Sequence, residues 1–141
     1  MNQGIKKNGL IAAGIINILG ALGSSRFFTN TVINETDPIV MSNFGLLMIV
    51  VWGMAYIAAS TINGNIKWLA LAFAFEKLAY VGAWIFWLSN NELAPLFSKD
   101  FSAGLFYTTY GINDFILWFS FSGFLRLKEQ KNSLNSFKFL A

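Results

Sequence analysis

Long apolar runs separated by short polar segments dominate the chain. A transmembrane helix needs about 20 mostly apolar residues, and four runs approach or exceed that length: residues 8–25, 39–62, 66–88 and 101–127. The segments between them are too short to form a soluble domain. The pattern therefore predicts an all-α, integral membrane four-helix bundle with up-down topology, in which the whole chain, 1–141, is one transmembrane domain.

Local signals set the ends of the second and third runs. Asp37-Pro38 precedes the second run, and proline suits the first turn of a helix. Asn63-Gly64-Asn65 is a tight-turn tripeptide between the second run and the third. We therefore expect the second and third spans to form a close antiparallel hairpin.

The N-terminal run permits a second interpretation. Lys6-Lys7, an apolar stretch and Ala21-Leu22-Gly23 resemble a signal peptide with a small-residue cleavage site. We favour an uncleaved first helix. Glycines at positions 9, 14, 20 and 23 then predict tight packing against another helix or between two copies of the chain.

Composition supports the membrane assignment. Of the 141 residues, 55% are hydrophobic and 12% are charged, against about 25% charged in an average soluble domain. The chain contains no cysteine and no histidine, which excludes disulfides, thiol nucleophiles and the usual zinc or haem ligands. We predict no cofactor and no metal site, and the net charge of +3 is not a nucleic-acid signal.

The basic residues predict an orientation. In the predicted topology, seven of them fall on one side, Lys6, Lys7, Lys67, Arg126, Lys128, Lys131 and Lys138. Arg26 and Lys99 fall on the other side. Cytoplasmic loops are enriched in Lys and Arg, so both termini are predicted to be cytoplasmic, in a multi-pass protein of the cell inner membrane.

Three predicted spans carry polar residues at one depth. At the helical rise of about 1.5 Å per residue, Lys77 lies about 15 Å from Lys67, and Asp114 lies about 18 Å from Arg126. Asn17 reaches a similar level in the first span. Ionisable residues at membrane depth are costly and usually face the protein interior, so this layer is the candidate site.

The faces of the third span predict its neighbours. Glu76 shares a stripe with Ala72, Ala79 and Ala83, a small-residue face suited to packing against another helix. Lys77 lies with three aromatic residues that favour cation–π contact, Phe73, Tyr80 and Trp84.

Two carboxylates and one ammonium leave one negative charge uncompensated. We predict that Lys77 pairs with Asp114 in an intramembrane salt bridge and that Glu76 is the group that titrates. The pair is then either an interhelical clamp, with Glu76 protonated, or part of a ligand or ion site. In a site, further polar side chains would line the cavity: Tyr56, Tyr80, Tyr110 and Asn113.

Three segments resemble a known type of protein. Residues 52–59 (WGMAYIAA), 75–80 (FEKLAY) and 111–115 (GINDF) are similar to small bacterial four-span membrane proteins of a loosely DoxX-like type. The resemblance implies a bacterial inner-membrane protein without established chemistry. It singles out Tyr56, Lys77 and Asp114, and it implies no substrate.

Our leading functional hypothesis is that the protein binds or translocates a small ligand or ion at the polar layer, with Glu76 exchanging a proton. The alternative is a non-catalytic accessory or assembly subunit of a larger membrane complex, with Lys77 and Asp114 as a structural clamp. A third hypothesis is a small intramembrane enzyme acting on a lipid or quinone. A non-enzymatic role is favoured because the sequence has no recognised catalytic motif. The expected partners are the lipid bilayer, a small ligand or cation, and either further copies in a homo-oligomer or a partner membrane subunit.

Overall fold

The computed structural model describes the backbone of residues 3–139 and the side chains of residues 4–123. Helix makes up 82% of the structure, and the described residues contain no strand. The helices run in the order α1 (Gln3–Ser24), α2 (Thr31–Thr36), α3 (Asn43–Ser60), α4 (Lys67–Asn90), α5 (Leu93–Lys99) and α6 (Phe101–Phe139). The prediction of an all-helical protein is confirmed.

Three of the described helices are long and apolar enough to cross a membrane: Gly4–Ser24, Asn43–Ser60 and Lys67–Asn90. The fourth predicted span corresponds to α6, which is not among these three. Hydroxyl, amide and carboxyl side chains interrupt the apolar character of its first half, at Ser102, Thr108, Thr109, Asn113, Asp114 and Ser120.

The predicted start of the second span at residue 39, directly after Asp37-Pro38, is wrong. The helix begins at Asn43, where the Ser42 hydroxyl accepts a hydrogen bond from the Gly45 N–H and acts as the N-cap. The Asp37 carboxylate instead accepts the Val40 N–H at 2.9 Å. Asp37-Pro38 therefore initiates a turn rather than a helix.

The four long helices pack in two antiparallel pairs, α1 with α3 and α4 with α6. Gly14 and Gly53 allow the first pair to approach closely, since a Cβ on Gly53 would lie 2.8 Å from the Gly14 carbonyl oxygen. In the second pair, the Trp84 ring lies directly on Gly111, and Trp84 Nε1 donates to the Tyr107 carbonyl at 2.7 Å.

The predicted close packing of the second and third spans is wrong. The backbones of α3 and α4 stand apart, because large side chains fill the space between them. Tyr56 and Phe73 meet edge to face, with 4.5 Å between their ring centroids. Ala72 and Ala79, predicted to pack against a neighbour, are exposed.

The short helices α2 and α5 close one end of the molecule, which we call the capped end. They contribute Ile33 and Leu96 to an apolar outer cluster together with residues of α3, α4 and α6, namely Leu46, Trp87, Ala103, Phe106, Tyr107 and Tyr110. A second apolar cluster, the inner cluster, lies towards the other end and contains Leu10, Ala13, Tyr56, Ala59, Ile66, Phe73, Ala74 and Phe121. The polar layer lies between the two clusters.

Candidate functional site

Lys77 is the centre of the polar layer. Its side chain is 1% exposed, and its ammonium donates to Asp114 Oδ1 at 2.8 Å and to Asn17 Oδ1 at 3.1 Å. These contacts join α4 to α6 and to α1. The structure thus forms the predicted pair and adds Asn17 as a second acceptor.

Aromatic rings lie beside the Lys77 ammonium, although they are not all the predicted ones. The nitrogen lies 5.6 Å from the centroid of the Tyr56 ring and 5.9 Å from that of the Tyr80 ring. Both distances are within the range of about 6 Å at which a cation is attracted to a ring face. Trp84, predicted to join this group, packs against Gly111 instead.

Glu76, the second carboxylate of the layer, is hydrogen-bonded to α3. The Tyr56 hydroxyl donates a short hydrogen bond to Glu76 Oε2. The other oxygen, Oε1, lies 3.5 Å from the Lys77 nitrogen and has no hydrogen-bond partner among the described residues. Glu76 is buried, at 8% exposure, so it faces the protein interior even though its helical stripe contains exposed alanines.

The layer contains more groups that can be negatively charged than groups that can be positively charged. Glu76 and Asp114 can supply two negative charges, and Lys77 is the cation bonded to Asp114 and nearest to Glu76 among the described side chains. The other described bases are engaged elsewhere or lie outside the layer; for example, Lys6 donates to the Ile62 carbonyl at 2.7 Å. Removing an unpaired charge from water is costly, so a proton or another cation must balance the second carboxylate.

A crevice of about 270 Å³ reaches this layer from the side, between α1 and α6. Its walls are mostly apolar, formed by Ile16, Gly20, Ala21, Ile49 and Phe106, with Thr109 at the edge. Its floor is polar, formed by Asn17, Tyr110, Asn113 and Asp114. Asn113 also donates its amide to Asp114 Oδ1 at 3.2 Å.

Two buried polar atoms on this floor have no hydrogen-bond partner among the described residues. They are Asn17 Nδ2 and the Tyr110 hydroxyl, in side chains that are 4% and 8% exposed. Because the Lys77 ammonium cannot accept a hydrogen bond, Asn17 must turn Oδ1 towards it and Nδ2 away. Both hydrogen bonds to Asp114 end on Oδ1, which leaves Oδ2 available to a further donor.

The structure therefore brings the predicted site residues into two connected groups. Lys77 contacts Asp114, Asn17 and the rings of Tyr56 and Tyr80, and Tyr56 bonds Glu76. Tyr110 and Asn113 lie on the crevice side of Asp114. Sequence reasoning did not identify the apolar walls of the crevice, because ordinary membrane-helix residues carry no signal that distinguishes a wall from a lipid-facing position.

Carboxylates and hydroxyls are the potential metal ligands here, since the chain lacks histidine and cysteine. Among the described residues, no group of three or more acidic side chains is placed to hold a metal ion. The polar side chains of the layer are instead joined to one another by hydrogen bonds.

The chain matches no protein-family model, no curated protein and no solved structure.

Proposed function

We propose that this chain is a four-span bacterial inner-membrane protein that binds a small ligand at a polar layer near the bilayer centre. In this proposal α1, α3, α4 and α6 cross the membrane, and the capped end lies outside. The termini and the turn between α3 and α4 face the cytoplasm, as the distribution of basic residues favours.

The outward faces of the helices support a lipid environment. Large apolar side chains are exposed on all four long helices, including Ile16 and Leu19 on α1, Met54 on α3, and Phe75 and Phe86 on α4. Monomeric soluble proteins rarely expose such extensive apolar surface. Lipid chains covering these faces would remove that surface from water.

The outer face of α6 supports its assignment as the fourth span. Exposed positions on this helix are occupied by Leu105, Ile112, Phe115, Ile116 and Phe119. Its exposed hydroxyls need no water, since Thr109 donates to the Leu105 carbonyl at 2.8 Å and Ser120 to the Ile116 carbonyl at 2.9 Å. The polar content that lowers the hydropathy of α6 is therefore compatible with a bilayer.

The ligand-binding role is carried by the two unpaired donors on the crevice floor. A buried polar group left without any partner costs about 1–3 kcal/mol, and neither Asn17 Nδ2 nor the Tyr110 hydroxyl, both beside Asp114, has a partner among the described residues. A structural clamp needs only Lys77 and Asp114 and does not account for these donors or for the crevice. A bound ligand would satisfy both and provides a reason to retain them.

Charge balance suggests how binding would couple to protons. With the crevice empty, a proton on one carboxyl would neutralise the layer. Glu76 is our candidate for exchanging that proton, because its Oε1 is close to Lys77 without being hydrogen-bonded. A ligand that changes the charge or hydrogen bonding at Asp114 would change how tightly Glu76 holds this proton, because Lys77 contacts both carboxylates. Translocation would follow if the ligand left on the opposite side of the layer.

Native mass spectrometry of the protein released from lipid nanodiscs tests the binding role. We expect wild type to carry a defined extra mass that is strongly reduced in Tyr110→Phe, which removes an unpaired crevice hydroxyl. Tyr107→Phe is the matched control, since Tyr107 is also buried on α6 but its hydroxyl contacts the Ile33 carbonyl at 3.5 Å and does not line the crevice. Equal ligand occupancy in Tyr110→Phe, Asn17→Leu and wild type would overturn the proposed site.

A further inference from the structure

The crevice has an access route and a hydrogen-bonding pattern that together restrict its ligand. The route depends on how the polar layer is closed along the bundle axis. Towards the capped end, the rings of Phe106, Tyr107 and Tyr110 pack against one another, with centroids 5.0–5.7 Å apart. Tyr107 also packs on Trp87, at 4.4 Å between centroids. This outer cluster covers the layer on that side.

The other end is covered in the same way. Tyr56, Phe73 and Phe121 form a triangle of rings with centroid distances of 4.5, 5.3 and 5.6 Å. Tyr56 and Phe73 are 0% exposed, and Phe121 is 2% exposed. The described residues therefore separate the polar layer from both ends of the bundle by apolar packing.

The side of the bundle is where the layer is accessible. Ile16, Gly20 and Thr109 line the crevice and are all exposed on the outer surface. In the four-span arrangement this surface faces lipid, because Ile16 lies between Lys6 near one membrane face and Ser24 near the other. The mouth of the crevice thus opens towards the acyl chains rather than towards water.

The floor distinguishes among head groups. Asn17 Nδ2 is a donor and requires an acceptor, whereas Asp114 Oδ2 requires a donor; the Tyr110 hydroxyl can act as either. A hydroxyl both donates and accepts, so it satisfies the two sides at once. A protonated amine donates but cannot accept from Asn17, and a carboxylate accepts but would be repelled by Asp114.

We propose that the crevice takes a membrane-dissolved amphiphile with a hydroxyl head group, which enters sideways from the lipid between α1 and α6. This inference rests on the proposed ligand-binding function and specifies its ligand class. The volume of about 270 Å³ equals that of about nine waters at ~30 Å³ each. It accommodates a head group and a short stretch of chain, and the remaining chain stays in the bilayer.

The test uses photoreactive long-chain probes with the protein in nanodiscs. Three probes of equal chain length carry a diazirine near the head and end in a hydroxyl, a methyl ether or an amine. We expect the alcohol to label peptides from α1 and α6. Labelling by the alcohol should reach half of its maximum at about tenfold lower concentration than labelling by the methyl ether, because the ether cannot donate a hydrogen bond to the charged Asp114.

Glycines on α1 provide a matched pair of variants for the entry route. Gly9 and Gly20 are both exposed, and neither would bring a new Cβ within 4 Å of another group. Gly20→Leu adds a side chain at the crevice mouth and should lower labelling by the alcohol at least tenfold. Gly9→Leu should label like wild type. If Gly20→Leu does not fold, as judged by circular dichroism, Thr109→Leu narrows the mouth from α6.

The outcomes separate this inference from the function on which it rests. Stronger labelling by the amine or the ether would overturn the hydroxyl head group while leaving ligand binding intact. Equal labelling in Gly20→Leu, Thr109→Leu and wild type would overturn lateral entry. If native mass spectrometry finds a bound molecule without an acyl or other long apolar chain, the lipid-derived ligand is wrong and the binding site stands. Absence of any probe labelling and of any bound mass would overturn both.

Discussion

Lys77 and Asp114 form a buried ion pair, with 2.8 Å between Nζ and Oδ1, in which the lysine comes from α4 and the aspartate from α6. The two residues are 37 positions apart in the chain, and the pair links the α4–α6 unit to α1 through Asn17. It also separates the Glu76 side of the layer from the crevice side. The pair is therefore placed to serve both the packing of the bundle and a bound ligand.

Breaking this pair should be costly, and exchanging it should be informative. Lys77→Met leaves Asp114 buried without its cation, so we expect a loss of about 3–5 kcal/mol in the free energy of unfolding. Lys77→Asp combined with Asp114→Lys restores opposite charges in reversed positions. Unfolding in mixed micelles measures stability, and native mass spectrometry measures ligand occupancy.

The exchanged variant separates a clamp from a site. A folded variant without bound ligand would support the site, because position 114 would present an ammonium to the crevice in place of the Asp114 carboxylate. Recovery of both stability and ligand occupancy would contradict a specific role for Asp114 on the crevice floor.

Tyr56 should contribute to stability through one hydrogen bond. Tyr56→Phe removes the donor to Glu76 Oε2 but keeps the ring that packs on Phe73 and Phe121. Loss of a bond to a buried carboxyl predicts a decrease of about 1–3 kcal/mol, measured by unfolding in mixed micelles. Tyr80→Phe serves as the comparison because Tyr80 lies beside Lys77 without bonding Glu76. Equal effects of the two substitutions would contradict a specific Tyr56–Glu76 interaction.

The close approach of α1 and α3 predicts a strong effect at Gly53. A Cβ there would lie 2.7 Å from Ile18 Cγ1 and 2.8 Å from the Gly14 carbonyl oxygen. Gly53→Ala should therefore lower the free energy of unfolding by about 1–3 kcal/mol, the usual cost of overpacking. Gly82→Ala is the control, since a Cβ at Gly82 meets nothing within 4 Å; it should be neutral or stabilising by up to about 1 kcal/mol. A neutral Gly53→Ala would show that the two helices are less tightly packed.

Asp100 predicts a pH-dependent contribution at the capped end. The hydrogen bond from the Ala103 N–H, together with those from Asn30 and Arg26, holds the pKa of the Asp100 carboxyl below its usual range. A folded-state pKa below the unfolded value stabilises the protein above the unfolded pKa of about 3.9. That contribution is lost as the pH falls through the lowered, folded-state pKa.

The corresponding measurement compares wild type with Asp100→Ala between pH 7 and pH 2. Asp100 precedes α6 and accepts the Ala103 N–H of its first turn, so it acts as an N-cap. At pH 7 we therefore expect the variant to be less stable by about 0.5–2 kcal/mol, the usual effect of losing an N-cap. The difference should be constant down to about pH 4 and then narrow, because wild type also loses its carboxylate. Glu92→Gln removes an exposed carboxyl in the same region and controls for the general effect of charge. A difference that grows on acidification would contradict this assignment.

Some features of the site could be predicted from the sequence, because they follow from the geometry of a single helix and the cost of burying a charge. The rise per residue set the depth of Lys77 and Asp114, and the cost of burying a charge indicated that they would pair. The same estimate of depth placed Asn17 in the layer. The expected packing of the small-residue face around Glu76 does not form within the described part of the chain, because small residues permit a close approach but do not specify where it occurs.

Residue pattern by itself determined that the chain is helical, where its long apolar segments lie, and which ionisable residues share one level. Only the tertiary structure decided that α3 pairs with α1 rather than with its neighbour α4, that Tyr56 bonds Glu76, and that a crevice opens between α1 and α6. The physical reason is that helical periodicity relates residues three or four positions apart. The choice of neighbouring helix depends instead on steric fit between distant residues, such as Gly14 against Gly53 and Trp84 against Gly111.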